Sequence, residues 1–303
     1  MSFAPSMFGD WYKRLDLGTE HPMHAKKIRL AVIGYGRFGR VHALRARAHP
    51  LFEVTCVVDP LPQAMRAAQS DGFQTTDSLD RLPQDIDAAC VVTPPPTHAN
   101  VANALMRKGI SVLVEKPFAT SEFDITSLLE TARATGCHLF TAHIERFNPA
   151  LALSPWKDIP EDIEFERCSR SISNVESLVL DLMVHDLDLV SHLLGADSAQ
   201  AFEVIEVRHS QREVMALLAI GPVKFRVRAR NGDDASSASI RWSERGEVKR
   251  LLLSGQSSTD GTDALTRQYT AFHHALQGQH TILASAMDGA MAARRAIAIA
   301  KKV

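Results

Sequence analysis

The chain has 303 residues, with 34 basic and 35 acidic side chains and a formal net charge of -1. That length suits two domains and a large core, while the balanced charge gives no footing for nucleic acid or an anionic membrane surface. Four cysteines without a CxxC pair, and no apolar run of membrane-spanning length, point to a cytoplasmic protein with buried thiols and neither a disulfide framework nor a metal centre.

Residues 1–26 mix Trp11, Lys13, Arg14, Asp16 and Glu20 without an apolar stretch. We read them as an N-terminal extension that packs on the body through Trp11 and Tyr12, not as a secretory signal. The run 28–33 is largely apolar and leads into Gly34-Tyr35-Gly36-Arg37-Phe38-Gly39. A helical stretch follows over 40–48, then a second apolar run over 54–58 ending in Asp59, 20 residues beyond Gly39. Strand, glycine turn, helix, strand and acid in that order form a dinucleotide-binding fingerprint. Gly34 permits the tight turn, Gly36 admits a pyrophosphate, and Gly39 lets helix and strand pack closely. Arg37 and Phe38 lie inside the turn and count with the glycines as cofactor contacts. Asp59 accepts from ribose hydroxyls, which favours NAD; NADP stays open because Arg37 and Arg40 stand near enough in sequence to offset a 2′-phosphate.

Apolar runs at 88–92, 111–114 and 138–141 alternate with helical patterns at 61–70, 98–108 and 121–135. Ser121 with Asp124 reads as an N-cap and first-turn acid, and Gly109 and Gly136 fall where C-terminal caps belong. The alternation implies a parallel sheet covered by helices, a Rossmann-type domain over 27–147. Ligands bind beyond the carboxyl ends of such strands. There stand Thr93 and Pro94 with His98, then Glu115-Lys116-Pro117, then the stretch from His143 to Pro149. We take Thr93, Pro94, His98, Glu115 and Lys116 as cofactor contacts, and His143, Arg146 and Asn148 as substrate contacts. Lys116 follows a buried run directly, where its ammonium would stabilise an alkoxide-like charge; the bland alternative is a surface Glu115–Lys116 ion pair. Pro117 is a candidate for a cis peptide bond.

The remainder, 148–303, reads as an α+β domain. Strand patterns at 202–208, 213–220, 223–230, 236–242 and 247–253, with turns between them, suggest an antiparallel meander with an open face. That face would bury itself in a homodimer or homotetramer. Helices are expected over 178–194, 263–277 and 285–301, the last able to pack back on the first domain. In the first of them Asp181, His185, Asp188 and His192 recur at offsets of 0, 4, 7 and 11 and share a helical face. Polar residues on an otherwise aliphatic helix need partners or a ligand. His185 suits a proton acceptor at neutral pH, with Asp181 one turn earlier to orient it; Asp188 is a weaker candidate and His192 structural. On the strand 223–230, Lys224, Arg226, Arg228 and Arg230 form one basic face, which we read as solvated and paired with acids such as Glu203 or Glu213, the alternative being a diphosphate site.

Taken together, these motifs resemble the Gfo/Idh/MocA family of NAD(P)-dependent oxidoreductases. The resemblance rests on Gly34–Gly39, Thr93-Pro94 with His98, Glu115-Lys116-Pro117, and Asp181, His185 and Asp188 in their spacing, and it covers roughly 27–301. It implies that Lys116, Asp181 and His185 contact substrate, that His185 is the acid/base, and that the second domain's open sheet is an oligomer interface. The stretch His143–Pro149, followed by the 181–188 motif, resembles the UDP-N-acetylglucosamine 3-dehydrogenase-like branch, which implies a sugar or nucleotide-sugar substrate. Asn174-Val175-Glu176-Ser177 departs from the glycine-rich lead-in of that branch. Lys116 and His185 should then converge on the reacting hydroxyl. Two further readings stay open: an NAD-recycling lyase or glycosidase, and a non-catalytic nucleotide-sensing regulator.

Overall fold

A computed structural model describes residues 26–152, 159–160, 162–170, 172, 174–195, 200–232, 235–255 and 261–303. The expected extension, with Trp11 and Tyr12, lies outside the described residues. In chain order the first elements are β1 (Ile28–Ile33), α1 (Arg37–Ala48), β2 (Phe52–Val58), α2 (Pro62–Ser70), β3 (Thr75–Thr76), β4 (Ala88–Val91), α3 (His98–Arg107), β5 (Ser111–Glu115), α4 (Glu122–Thr135) and β6 (Leu139–Ala142). Then come β7 (Asp162–Ser169), α5 (Val175–Ser177), a π-helical segment (Leu178–Met183), α6 (Val184–Leu194), β8 (Phe202–Ser210), β9 (Glu213–Ile220), β10 (Val223–Asn231), β11 (Ser237–Glu244) and β12 (Glu247–Leu252). The chain closes with α7 (Ala264–Leu276), β13 (Ala284–Ser285) and α8 (Ala286–Ala300).

The protein is α/β, with two compact units. One joins Lys26–Ile144 to Thr262–Ile297; the other holds Glu145–Gly261 and Ala298–Val303. Sequence reading drew the second domain over 148–303, with the final helix able to pack back on the first; α7, β13 and most of α8 group with the first unit.

The first unit is built on a seven-stranded sheet of order β13-β6-β5-β4-β1-β2-β3. Its strands pair in parallel except for β13, which runs antiparallel to β6. The order 3-2-1-4-5-6 is that of a doubly wound nucleotide-binding sheet, with its switch point between β1 and β4. The central strand β1 is aliphatic on both faces because helices cover both, and Leu30, Ala31 and Val32 are wholly buried. Ser121 caps α4 by accepting the Asp124 N–H at 3.1 Å, and Gly136 ends it in the left-handed region at φ 69°, as the sequence signals suggested. Helix α7 closes one side of the core: Tyr269 and Phe272 pack on Phe52, and Phe272 also on Phe140.

The second unit is a six-stranded, mostly antiparallel sheet of order β12-β11-β7-β10-β9-β8. The expected meander is broken here. Strand β7, which sequence reading passed over, inserts between β10 and β11 and runs parallel to β10. Its acids explain the omission: Asp162, Glu164 and Glu166 alternate with Ile163 and Phe165, so the strand looks charged. Ile163 and Phe165 are fully buried, whereas Asp162, Glu166 and Glu164 pair with Arg226, Arg230 and Arg241 on the other face. The basic row on β10 is therefore a laddered surface, with Arg228 held by Glu213 at 2.8 Å. Such exposed pairs contribute about 0–1 kcal/mol each and serve register more than stability.

Candidate active site

The glycine turn after β1 is set by close approaches. Gly34 has φ 97°, and a Cβ there would lie 2.7 Å from the Val92 carbonyl oxygen. A Cβ on Gly39 would stand 2.0 Å from the Gly34 carbonyl oxygen, so the first turn of α1 can pack on the loop only with glycine. Gly36 meets no neighbour within 4 Å. It N-caps α1 without a side chain, and no acid occupies the first turn. The helix end therefore offers backbone N–H groups and a partial positive charge to an anion. These features fit the pyrophosphate of a dinucleotide.

Asp59 closes the cradle. It is buried at the end of β2, where Oδ2 accepts the Tyr35 N–H at 2.7 Å and Oδ1 accepts the Leu61 N–H at 2.9 Å. The carboxylate thus ties the glycine turn to the loop before α2, and each oxygen retains a second lone pair. Arg40 is committed elsewhere: Nε and Nη2 donate to Asp71 at 2.6 and 3.0 Å. The Tyr35 hydroxyl also donates to Asp71, at 2.7 Å. The bonds from Arg40 and then Tyr35 draw the Asp71 carboxyl down to about 2. Burial, then the neighbouring Asp71, pushes the Tyr35 phenol up to about 12. Arg37 lies over the exposed Phe38 ring, 5.7 Å from its centroid.

In the loop after β4, Pro95–Thr97 form a 3-10 turn, with the Thr97 hydroxyl donating to that of Thr93 at 2.8 Å and Pro94 exposed. His98, expected as a cofactor contact, is buried instead. Its Nδ1 lies 2.9 Å from the Pro117 carbonyl and its Nε2 2.8 Å from that of Thr93. The ring braces two strand-end loops against each other, and burial, the largest influence, lowers its pKa. The Lys116–Pro117 peptide bond is cis. Glu115 has a buried partner, which the surface-pair alternative did not foresee: Oε1 accepts from His42 Nε2 at 3.1 Å, while Oε2 accepts the Lys116 backbone N–H at 3.1 Å. Burial favours a neutral Glu115, yet His42, with Lys116 and His98, outweighs it and its pKa is lowered. His143 is buried just beyond β6.

In the second unit, Asn174 caps the helix by accepting the Ser177 N–H at 2.7 Å. The π-helical segment then carries Asp181. Bonding to i+5 widens the turn and resets the facing of later residues, a feature frequent at functional sites. The four-residue stripe accordingly does not share one environment. Asp181 is exposed, His185 and His192 are half-buried, and Asp188 is buried. Asp188 accepts from Arg146 Nε and Nη2 at 2.8 and 2.6 Å, a bidentate pair. Arg146 was expected on the substrate; its guanidinium serves the fold through Asp188. Asn148 likewise donates to Glu145 at 2.8 Å and to the Leu253 carbonyl at 2.9 Å, while its Oδ1 accepts the Ala150 N–H.

Sequence reading missed a second buried cluster. Arg167 continues the inward alternation of β7, donating from Nε to Asp186 at 2.8 Å and from Nη1 to Glu145 at 2.9 Å. One guanidinium lies between two carboxylates. Burial, opposed by Arg167 and aided by the Glu145 charge, pushes Asp186 up to about 6, and Arg167 is held more firmly cationic. The only advance signal was the charged Asp186 beside His185 inside an aliphatic helix. Above this cluster opens a pocket of ≈ 220 Å³ whose lining includes Glu145, Arg167, Ser169, Ser236, Ser237 and Ser254.

Residues 28–143 match the family model GFO_IDH_MocA, described as an oxidoreductase family with an NAD-binding Rossmann fold. The UDP-N-acetylglucosamine 3-dehydrogenase of Acidithiobacillus ferrooxidans is 33% identical over 177 residues, which cover 56% of this chain and 55% of that protein. The chain spans about half the length of the curated relatives it matches. The solved structure of the same A. ferrooxidans enzyme superposes with a TM-score of 0.75 at 22% identity, covering 91% of this chain and 98% of the other. The scyllo-inositol dehydrogenase of Lactobacillus casei, solved with NAD(H) and scyllo-inositol, gives a TM-score of 0.76 at 17% identity, covering 91% and 96%. At those identities the superpositions speak for the fold. The segment 28–143 thus resembles the Gfo/Idh/MocA NAD-binding Rossmann domain.

Proposed function

We propose that this chain, whose residues 28–143 resemble the Gfo/Idh/MocA NAD-binding domain, is a dehydrogenase that oxidises a secondary alcohol of a sugar, cyclic polyol or nucleotide sugar. The observation that carries the reading is Lys116 at the carboxyl end of β5, its backbone N–H held by Glu115, in the unit that also builds the glycine cradle and Asp59. NAD, when bound, supplies the hydride acceptor. The remaining work falls to the chain. Asp59 orients the ribose through the lone pairs its backbone bonds leave over. A 2′-phosphate would meet that carboxylate, and Arg40, tied to Asp71, is not there to offset it; this supports NAD over NADP.

Lys116 holds the substrate oxygen and steadies its growing negative charge. His185 takes the hydroxyl proton, a role suited to an imidazole, whose free pKa is about 6.5. Asp181, one turn earlier, orients that ring or binds the adjacent hydroxyl. The serine-lined pocket in the second unit suits a polyhydroxylated ligand. In this reading 27–147 binds the dinucleotide, 148–303 binds substrate and assembles a cytoplasmic homodimer or homotetramer through its sheet. The test is a panel of free and UDP-linked sugars and inositols, assayed for NADH formation. The reading expects sustained NADH production with at least one, and a loss of ~100-fold or more in His185→Ala and Lys116→Ala, the low end of acid–base contributions. NADH binding without turnover of any alcohol would make the protein a sensor instead.

A further inference from the structure

The sequence fingerprint has no role for His42, yet it is one of the most constrained side chains in the first unit. It lies on α1, three residues beyond Gly39, fully enclosed. Its Nε2 reaches Glu115 at the end of β5, at 3.1 Å. Its Nδ1 faces the Tyr269 hydroxyl of α7 at 3.0 Å and the Cys90 sulfur of β4 at 3.3 Å. The Tyr269 hydroxyl in turn lies 3.5 Å from the His42 carbonyl oxygen, an acceptor for its hydrogen. When the hydroxyl donates there, Nδ1 donates to the tyrosine oxygen and Nε2 to the carboxylate, the two-donor arrangement of an imidazolium. When it donates to Nδ1 the ring is neutral; the buried carboxylate 3.1 Å from Nε2 favours the charged form.

We propose that His42 is the positioning residue of the Glu115-Lys116-Pro117 loop: its imidazolium keeps Glu115 ionised, and Glu115 fixes the backbone amide of Lys116. The groups facing the pair are few. Around His42 stand Glu115, Cys90 and Tyr269; around Glu115 stand His42, Lys116 and His98. Burial pulls the His42 pKa down, but Cys90 and Glu115 pull harder and push it up to about 10. The carboxylate touches the backbone of the residue that does chemistry, and the histidine reaches that residue through the carboxylate. Without His42 the buried Glu115 would lose its counter-charge and take up a proton near neutrality. The Lys116 amide would then sense a titration that the native protein does not have.

The kinetic part of this inference rests on the dehydrogenase reading; the charge and the amide do not. The test uses the full chain saturated with NADH and labelled with ¹⁵N. Histidine ring shifts, assigned to His42 by difference from His42→Gln, should show two protonated nitrogens from pH 6 to 9. A singly protonated ring at pH 7 overturns the inference whatever the enzyme does. In His42→Gln the Lys116 amide should shift with pH as Glu115 titrates, and this shift should vanish in the His42→Gln/Glu115→Gln double variant. A Lys116 amide equally insensitive to pH in the native and single-variant proteins overturns it too. On any alcohol the native protein oxidises, His42→Gln should lose about 10²-fold in kcat/KM at pH 6, the scale of a small misplacement, and recover as pH rises. A loss of the same size at every pH would mark His42 as merely structural. A native protein that oxidises no alcohol defeats the dehydrogenase reading and leaves the spectroscopic arms to judge His42.

Discussion

The two units build their sites from different material. The cradle of the first is backbone: glycines admitted by close approach, a helix end without a cap, and a carboxylate bonded to two amides. The helix of the second is held by buried charge: Arg146 on Asp188, and Arg167 shared by Asp186 and Glu145. The first kind of site is encoded within a few dozen consecutive residues. The second depends on partners 19 to 42 residues apart, each of which reads alone as an ordinary polar residue. Backbone sites are sensitive to volume, and charge sites to the loss of one partner.

Three measurements press on that difference. The largest effect is expected from Arg146→Ala, which leaves Asp188 buried without its guanidinium. Unfolding of the second unit should become easier by about 3–5 kcal/mol, read from urea melts, with NADH affinity retained. Unchanged stability would mean the bidentate pair carries nothing. Next, Gly39→Ala adds one methyl carbon that would stand 2.0 Å from the Gly34 carbonyl oxygen. The α1 turn must move, and NADH binding, measured by fluorescence, should weaken at least ~10-fold at a cost of about 1–3 kcal/mol for overpacking. Wild-type affinity there would refute the close-approach account of the turn. The smallest effect concerns pH. Burial pushes the Asp186 carboxyl up from the ordinary 3.8 to about 6, so the folded state binds the extra proton more tightly. Stability from this group is therefore full below pH ~4 and lost as pH rises through ~6, on the order of 2–3 kcal/mol. Melts of Asp186→Asn should lack this slope, so that the stability advantage of the native protein over the variant shrinks between pH 4 and 6. Parallel curves would contradict it.

Much of the first unit was legible because its rules are local. The apolar runs, the Ser121 cap, the Gly136 stop and the glycine fingerprint all fall near their observed places. What escaped was long-range. Tyr269 meets His42 across 227 residues, and nothing beside either one announces it. His98 looked like a ligand because it follows a proline loop at a strand end, yet two backbone carbonyls claim it. In the second unit the regular helical period placed Asp188 with Asp181 and His185; the π-helical turn, invisible to a 3.6-residue pattern, sent it inward. Strand β7 hid behind its acids, whose partners lie on strands far along the chain.

One topological detail reaches into synthesis. The first unit is interrupted: the ribosome delivers 26–144, then all of Glu145–Gly261, and only afterwards α7 and β13. Until then β6 has a bare edge and Phe52 and Phe140 have no aromatic cover from α7. The nascent cofactor lobe must therefore wait, incomplete and sticky, for more than a hundred residues, and a fragment cut before residue 262 inherits that exposed state permanently.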